Sequence, residues 1–445
     1  MKRKASGNML ADIAGLIGSR FMLVVFGFGT GIITARILGP HDRGLFTLLI
    51  TLPQTLVTFA KMGVAQANVY YVRRARVPVA TVASNSLVLT GIVSLLLLSA
   101  CYFFGHWIID PFTDGAPWSY VWLALALVPA LLIESYFMAI LQAVEAFRAY
   151  NLQSVIKAIL SFAGMATALL LAHGKLWAAL MSQVSVLTAC NLWLLIQCYR
   201  VAPFGLRWSS EVGRGTLSFG AKSYVQTLAA HLHYRIDLYL IALLLTPEQV
   251  AFYSIAVNMT NPILQIPDAI GTVIFPKLAG SSDRAAHERT AVTCRHTLFA
   301  TLVAAILYAG AGSQLMVLFY GRRYAPAIPP MFMMLPGIIM ISLYQILSRN
   351  FTSRNRQQIN IVAAGVALAV NATANLLLIP RLGIVGAALS TAISYSLAAG
   401  ILLTVFVRES GWRVRDTVLV GADDLARYSR LLMATGARLR RSGTS

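Results

Sequence analysis

Residues 80–104 read ATVASNSLVLTGIVSLLLLSACYFF, a run of 25 residues without one charged side chain. A helix of this length measures about 37 Å, since each residue adds roughly 1.5 Å. The hydrocarbon core of a bilayer is only about 30 Å thick. Similar runs follow one another along the chain, so the sequence predicts an all-α membrane protein built almost wholly of transmembrane helices.

The composition of the whole chain agrees with this prediction. Hydrophobic residues make up 58% of the 445 residues and charged residues only 12%, whereas soluble domains carry about 25% charged residues. The net charge of +20 would suggest nucleic acid binding in a soluble protein. Because the charges lie between apolar runs, membrane topology explains them better, and nucleic acid is not expected as a partner.

Twelve runs are long enough to cross a membrane as helices. The first begins after Lys2-Arg3-Lys4 and continues well past the length of a signal-peptide core, so it is interpreted as a membrane helix. The predicted spans cover residues 10–35, 44–70, 80–104, 119–144, 151–172, 176–198, 216–245, 249–276, 291–319, 328–350, 357–379 and 384–407.

Basic residues between the spans predict the orientation. With both termini assigned to the cytoplasm, the inner segments hold 24 Lys and Arg residues and the outer segments hold 6. Cytoplasmic loops carry such an excess of basic residues. We therefore expect a multi-pass membrane protein with both termini in the cytoplasm. The basic tail at 408–445 is expected to contact anionic lipid and to be dispensable for transport, even when the chain is truncated at 412.

Two pairs of similar segments indicate an internal duplication. ARILGPHDRGLF at 35–46 and ALLLTPEQVAFY at 242–253 share Ala and Pro at an offset of 207 residues, and HGKLWAAL at 173–180 matches LGIVGAAL at 382–389 at an offset of 209. Repeats with a site between them are typical of transporters. The predicted organisation is a six-helix lobe, a cytoplasmic linker, a second six-helix lobe and a tail, at residues 1–200, 201–215, 216–407 and 408–445.

Charged side chains inside the predicted spans mark the candidate site, because an ionisable group at membrane depth is costly. Arg20 is too far from either end of its span to reach water, so it is expected to contact cargo or an internal carboxylate. Cations outnumber carboxylates at this depth, which suits an anionic phosphate or pyrophosphate headgroup. The predicted substrate-binding cations are Arg20, Lys61, Lys222 and Arg235.

The span at 216–245 carries a polar stripe. At about 100° per residue, one helical face holds Lys222, Gln226, His233 and Asp237. Such a face cannot contact lipid, so it is expected either to line water or the other lobe, or to form a buried network between helices. Arg235 points away from this stripe.

Carboxylates at membrane depth are the candidates for coupling or charge pairing. Glu134 and Asp268 can each carry a coupling proton or form an ion pair, with Arg20 or Lys61 as the expected partners. Asp237 and His233 belong to the same predicted group. The cations expected to extend towards water from inner helix ends are Lys157 and Arg295.

No enzymatic or metal chemistry is predicted. The loops are short, no Walker A motif is present, and the four cysteines form no CxxC pair and lie in apolar segments as free core thiols. We expect no catalytic residue, metal or cofactor. Coupling to an H⁺ or Na⁺ gradient remains open.

Five segments in order and spacing resemble the polysaccharide-exporter family of Wzx-type oligosaccharide flippases, within the multidrug/oligosaccharidyl-lipid/polysaccharide superfamily. They are Ser19-Arg20, ARILGPHDRGLF at 35–46, YRIDLYLIALLL at 234–245, residues 250–279, and IPRLGIVGAALSTAISY at 379–395. The resemblance covers about residues 10–407. Family positions that often carry charge correspond to Arg20, Arg36, Arg235 and Asp237.

This resemblance implies two six-helix lobes arranged as a V around a cationic cavity. It also implies a cargo, an oligosaccharide linked to undecaprenyl pyrophosphate, that crosses from the inner to the outer leaflet for surface polysaccharide synthesis. Membrane lipids are expected partners, and a glycan polymerase and a chain-length regulator are partners left open.

Three other functions compete with this interpretation. A multidrug exporter of the same superfamily should have an acidic cavity. A membrane-embedded glycan polymerase or ligase should have a large outer loop with catalytic Arg or His, whereas the longest outer loop here, about 105–118, has His106 but no Arg or Lys. A scaffold for glycan assembly would transport nothing.

Overall fold

The structure is a computed structural model that describes residues 9–171, 176–421 and 424. Side chains are described in these ranges except at 9–21, 221–223, 225–227, 229–234, 276 and 279. Helices account for nearly all of this part of the chain, and it contains no β-strand. The all-α prediction is therefore confirmed.

Fourteen α-helices and one 3₁₀ turn form the described fold. They are α1 Met9–Ala60, α2 Val64–Arg73, α3 Val79–Thr113, α4 Trp118–Leu125, α5 Leu127–Ala143, α6 Phe147–Leu171, α7 Leu176–Val201, α8 Ser210–Leu244, α9 Pro247–Ala279, α10 Asp283–Tyr320, the 3₁₀ turn Arg322–Ala327, α11 Ile328–Ser353, α12 Gln357–Leu382, α13 Ile384–Ser410 and α14 Val414–Val418.

Helix α1 bends sharply between the first two predicted spans. Gly39 has φ 76° and ψ 175°, a conformation that glycine adopts without a β-carbon clash. Pro40 follows, and its fixed φ suits the first turn of a new helix. The bend therefore divides α1 into two helical arms, one for each of the spans predicted at 10–35 and 44–70.

The fourth predicted span is divided as well, which the sequence analysis did not anticipate. Residues 119–144 form α4 and α5, with the break at Ala126. Pro129 explains the position, because a proline ring clashes with the carbonyl four residues earlier, here that of Leu125. Leu125 is the last residue of α4.

Nine helical segments of the described residues are long and apolar enough to cross a membrane. One of them, Met22–Ala60, contains the α1 bend and so holds parts of two predicted spans. The spans predicted at 216–245 and 249–276 are helical as α8 and α9 but are not among the nine. The chain is thus a multi-span membrane protein, and the number twelve stays a prediction.

The described residues pack as two compact units, one of 9–255 with 316–327 and one of 256–315 with 328–421 and 424. In the first unit α5 packs against α1, α2, α3, α6 and α7, and Tyr136, Phe137 and Ile140 are fully buried. In the second unit α13 packs against α11 and α12. The predicted lobe boundary at 201–215 remains a prediction.

Residues after α13 fold back on the second unit. Trp412 and Val418 pack against its core, whose members include Phe351 and Phe406, and Thr417 is fully buried. The first part of the predicted tail is therefore a packed element. The expectation that the tail is dispensable for transport is now restricted to the residues that follow this element.

Candidate functional site

The structure describes five of the eight predicted site side chains. Arg20, Lys222 and His233 lie outside the described side chains. The other five are Lys61, Glu134, Arg235, Asp237 and Asp268. Their surroundings show which charges are already paired within each unit.

Lys61 occupies the turn between α1 and α2 and is partly buried. Two residues later, Gly63 has φ 69° and its backbone lies directly against that of Gly220 in α8. A β-carbon at Gly220 would overlap the carbonyl oxygen of Met62. The crossing of these backbones places the turn of Lys61 beside the part of α8 that carries Lys222.

Arg235 lies on the face of α8 that packs against the second arm of α1. Tyr239, one turn further along α8, donates a hydrogen bond to the Thr55 hydroxyl at 2.5 Å and contacts the Thr51 carbonyl oxygen at 3.2 Å. Residues four apart share a helical face. No ion pair of Lys61 or Arg235 occurs within the described residues.

Asp237 points to a different neighbour. It is buried, and the Tyr253 hydroxyl of α9 donates a hydrogen bond to its Oδ2 at 2.7 Å. A separation of two residues turns a side chain by about 200° on a helix, which explains why Arg235 and Asp237 face different helices. The polar stripe was expected either to line water or the other lobe, or to form a buried network between helices. At Asp237 the contact is a buried one between helices.

Glu134 and Asp268 have partners that the sequence analysis did not assign to them. Glu134 of α5 forms an ion pair with Lys157 of α6, and Asp268 of α9 pairs with Arg349 of α11 at 2.9 Å. Lys61 forms neither of these two ion pairs, and a contact with Arg20 stays a prediction, because its side chain lies outside the described residues. Sequence cannot show which neighbouring helix supplies a partner, and Lys157 was expected to extend towards water instead.

Arg295, which was also expected to extend towards water, contacts the tail. Its Nε lies 3.1 Å from Oδ2 of Asp424, and Nη1 contacts the backbone carbonyl oxygen of Asp416 at 3.5 Å. His296 lies 3.8 Å from the same carboxylate. The partner escaped the sequence analysis because it lies in the tail, about 130 residues away in the chain.

The sequence analysis missed Arg43, which it counted in an outer loop. Only 8% of its surface is exposed. Nη1 donates a hydrogen bond to the Thr47 hydroxyl at 2.9 Å, and the guanidinium lies 5.5 Å from the centre of the Phe46 ring. Nε has no hydrogen-bond partner, and no carboxylate pairs with Arg43 within the described part of the chain.

Further contacts hold the α1 bend to the end of α10 and to the 3₁₀ turn of the same unit. Arg36 donates hydrogen bonds to the carbonyl oxygens of Phe319, at 2.8 Å, and Leu318. These carbonyls end α10, where unpaired acceptors and the helix dipole favour a cation. The Tyr324 hydroxyl donates to the Ala35 carbonyl oxygen at 2.8 Å.

The second arm of α1 contacts the turn between α8 and α9. His41 Nδ1 lies 2.7 Å from Glu248 Oε1, and the backbone at Gly44 lies so near Pro247 that a β-carbon would overlap the proline carbonyl oxygen. We call this set of contacts the bend cluster, with the members Arg36, His41, Arg43, Gly44, Pro247, Glu248 and Tyr324. Its signal in the sequence was the motif at 35–46, whose charges were read as loop charges.

The amino-acid sequence and the fold both have known counterparts. Residues 9–282 match the model of a family described as "Polysaccharide biosynthesis protein". The chain is 23% identical over 318 residues to a Shigella flexneri protein named "Putative O-antigen transporter", covering 65% of this chain and 71% of that protein. It is 22% identical over 192 residues to the "Probable low-salt glycan biosynthesis flippase Agl15" of Haloferax volcanii, covering 42% of this chain and 41% of that protein.

Among solved structures, the chain is similar to the lipid II flippase MurJ in its inward closed conformation. The TM-score is 0.75 at 15% identity, and the match covers 89% of this chain and 90% of that one. At this level of identity the similarity establishes the fold alone, which this chain shares with that multi-span membrane protein.

Proposed function

Because this chain belongs to the polysaccharide biosynthesis protein family, we propose that it is a flippase for a lipid-linked oligosaccharide. The cargo is an oligosaccharide on undecaprenyl pyrophosphate, which moves from the inner to the outer leaflet of the bacterial inner membrane by alternating access. Both termini lie in the cytoplasm. The relatives support transport rather than enzymatic catalysis, since their names describe a flippase and an O-antigen transporter.

The family match is the observation that carries the proposal. It runs over residues 9–282 and so includes the turn of Lys61 and the stretch of α8 around Arg235. A diphosphate needs cations that are not already neutralised, and charges attract more strongly at membrane depth than in water. Lys61 and Arg235 meet this requirement in the described residues, and Arg20 and Lys222 complete the proposed set.

The carboxylates have a different role in this proposal. Glu134 and Asp268 are engaged by Lys157 and Arg349, so they balance charge within their own units. Asp237 and His233 are the proposed coupling groups for an H⁺ or Na⁺ gradient. A glycan polymerase and a chain-length regulator are the proposed partners on the pathway to O-antigen, capsule or exopolysaccharide.

Reconstitution into proteoliposomes tests the function directly. The purified full-length protein should move a fluorescent undecaprenyl-pyrophosphate oligosaccharide between leaflets, measured by quenching of the outer leaflet. Arg235→Gln and Lys61→Gln should each lower the rate at subsaturating cargo by about tenfold, since each removes a charge-assisted contact. Arg381→Gln is the matched control, because Arg381 is exposed at the end of α12.

The outcomes separate the site from the function. Normal flipping by both variants would show that the cargo binds elsewhere. A wild-type protein that fails to flip the glycolipid but exports a cationic drug would overturn the function in favour of a multidrug exporter.

A further inference from the structure

A cavity of about 570 Å³ lies in the first unit, between the start of α3 and the segment that connects α7 to α8. It is separate from Lys61, Arg235 and the bend cluster, none of which lines it. The lining residues that matter here are Thr81, Ser84, Phe204, Arg207, Trp208 and Ser209. We call it the connection cavity.

Helix α3 fixes the wall of this cavity through two buried polar residues. The Asn85 amide donates to the Ser209 carbonyl oxygen at 3.0 Å, and Asn85 Oδ1 accepts from the Ser209 backbone N–H at 2.8 Å. The Ser84 hydroxyl oxygen accepts from the Gly205 N–H at 3.2 Å. Buried polar groups that hydrogen-bond reciprocally define a single geometry. These bonds therefore fix the segment between α7 and α8 against α3, where it forms one wall of the cavity.

The lining residue Trp208 and Leu206, which lies in the chain between the lining residues Gly205 and Arg207, are exposed apolar side chains beside the cavity. Leu206 has 80% of its surface exposed and Trp208 has 43%, while the indole of Trp208 packs against the backbone of Gly213. Tryptophan and leucine exposed beside an arginine are typical of a segment at the boundary between lipid and water. In the proposed topology this boundary is that of the cytoplasmic leaflet.

The lining of the cavity is positively charged, which favours an anionic ligand. Arg207 is exposed and forms no ion pair within the described residues, and the described lining has no carboxylate. Three hydroxyls, those of Thr81, Ser84 and Ser209, lie in the same wall. A guanidinium with hydroxyl groups suits the oxygens of a phosphodiester, and the volume is in the range of small-molecule sites, about 300–1,000 Å³.

We propose that the connection cavity binds the headgroup of an anionic phospholipid from the cytoplasmic leaflet. Arg207 contacts the phosphodiester, the hydroxyls contact the headgroup, and Leu206 and Trp208 contact the upper part of the acyl chains. The lipid is a bound partner of the connection rather than a transported cargo, so this site does not depend on the identity of the oligosaccharide.

Lipid binding to the full-length protein tests the assignment. In detergent, phosphatidylglycerol should remain bound in native mass spectra at concentrations where phosphatidylcholine does not. Arg207→Gln should weaken phosphatidylglycerol binding by about tenfold. Arg214→Gln should not, because Arg214 is also exposed, on the first turns of α8, but does not line the cavity.

Equal retention of phosphatidylglycerol by the two variants would overturn the proposal. So would equal retention of the two lipids by the wild type, or glycerol phosphate without acyl chains competing as well as the intact lipid.

A labelling experiment examines the rim independently of Arg207. The native cysteines are buried, namely Cys101, Cys190, Cys198 and Cys294. A thiol-reactive spin label should therefore attach selectively at residue 206 of the Leu206→Cys variant. In vesicles with phosphatidylglycerol, this label should be more accessible to oxygen than to a water-soluble relaxation agent. Gln357→Cys, exposed at the start of α12, should show the reverse. A label at 206 that is as water-accessible as the one at 357 would refute the lipid contact.

Discussion

Arg43 and Arg354 are both largely buried arginines, but only one of them meets opposite charge. Arg354 has 15% of its side chain exposed; its Nε lies 3.0 Å from Asp283 and its Nη1 3.3 Å from Glu409. Arg43, in the bend cluster, contacts a threonine hydroxyl and an aromatic ring and leaves Nε without a hydrogen bond.

The difference shows that burial of a charge has two separate consequences. Removing a charge from water is costly, and a partner in good geometry offsets that cost. The network around Arg354 makes the side chain part of the second unit's stability. Arg43 adds a cost to the first unit in this conformation, so the two arginines should respond to the same substitution with opposite signs.

The largest effect should come from breaking the paired arginine. Arg354→Met leaves Asp283 without a cation and leaves Glu409 with Arg356 as its remaining partner, and we expect the free energy of unfolding to fall by about 3 kcal/mol. The value is at the low end because Asp283 is 73% exposed. The measurement is the thermal unfolding midpoint in detergent. Adding Asp283→Asn should recover part of the loss, because it removes the carboxylate left without a cation, and no recovery would contradict the pairing argument.

The next effect should come from the steric contact that closes the bend cluster. Gly44→Ala places a β-carbon against the carbonyl of Pro247, and overpacking of this kind costs about 2 kcal/mol. Gly27→Ala is the control in the same helix, because nothing lies within 4 Å of the added carbon. Equal midpoints for the two variants would mean that the contact is not maintained in detergent.

A third variant examines an arginine with a single carboxylate partner. Asp424→Asn removes the partner of Arg295, and we expect a loss of about 1 kcal/mol, since one charged contact is weakened rather than a network. Asp416→Asn is the control, because that side chain is exposed and only its backbone oxygen meets Arg295. A chain ending after residue 424 should unfold like the wild type, and one ending at 411 should not.

The smallest effect should be the one with the opposite sign. Arg43→Met replaces a buried cation that lacks a carboxylate by an apolar side chain of similar length. We expect stability to stay equal or to rise by up to about 1 kcal/mol, while flipping falls if the charge serves another conformation. A loss as large as that of Arg354→Met would show that Arg43 is paired in the protein in detergent.

The sequence predicted the fold class and the helical segments because apolar length is a local property. The α1 bend at Gly39 lies between the spans predicted at 10–35 and 44–70, although the bend itself was not predicted. The break before Pro129 was missed, because proline is common in membrane helices and only packing decides whether it divides one.

The ion-pair partners of the charged residues could not be predicted from local sequence in this way. Glu134 meets Lys157 and Arg295 meets Asp424 because of which helices are neighbours, and a single sequence does not contain that information. Arg43 was assigned to an outer loop because it lies between the spans predicted at 10–35 and 44–70, although it belongs to the second arm of α1 and is buried.

Gly63, just before α2, and Gly220 in α8 lie in direct backbone contact. No amino acid is smaller than glycine, so neither position can be made smaller. A β-carbon at Gly63 would overlap the Gly220 carbonyl oxygen, and one at Gly220 would overlap that of Met62. A change at one position cannot be rescued by shrinking the other, so no two-step mutational path leads away from this pair. In a library of all single substitutions, both positions should therefore be intolerant of replacement.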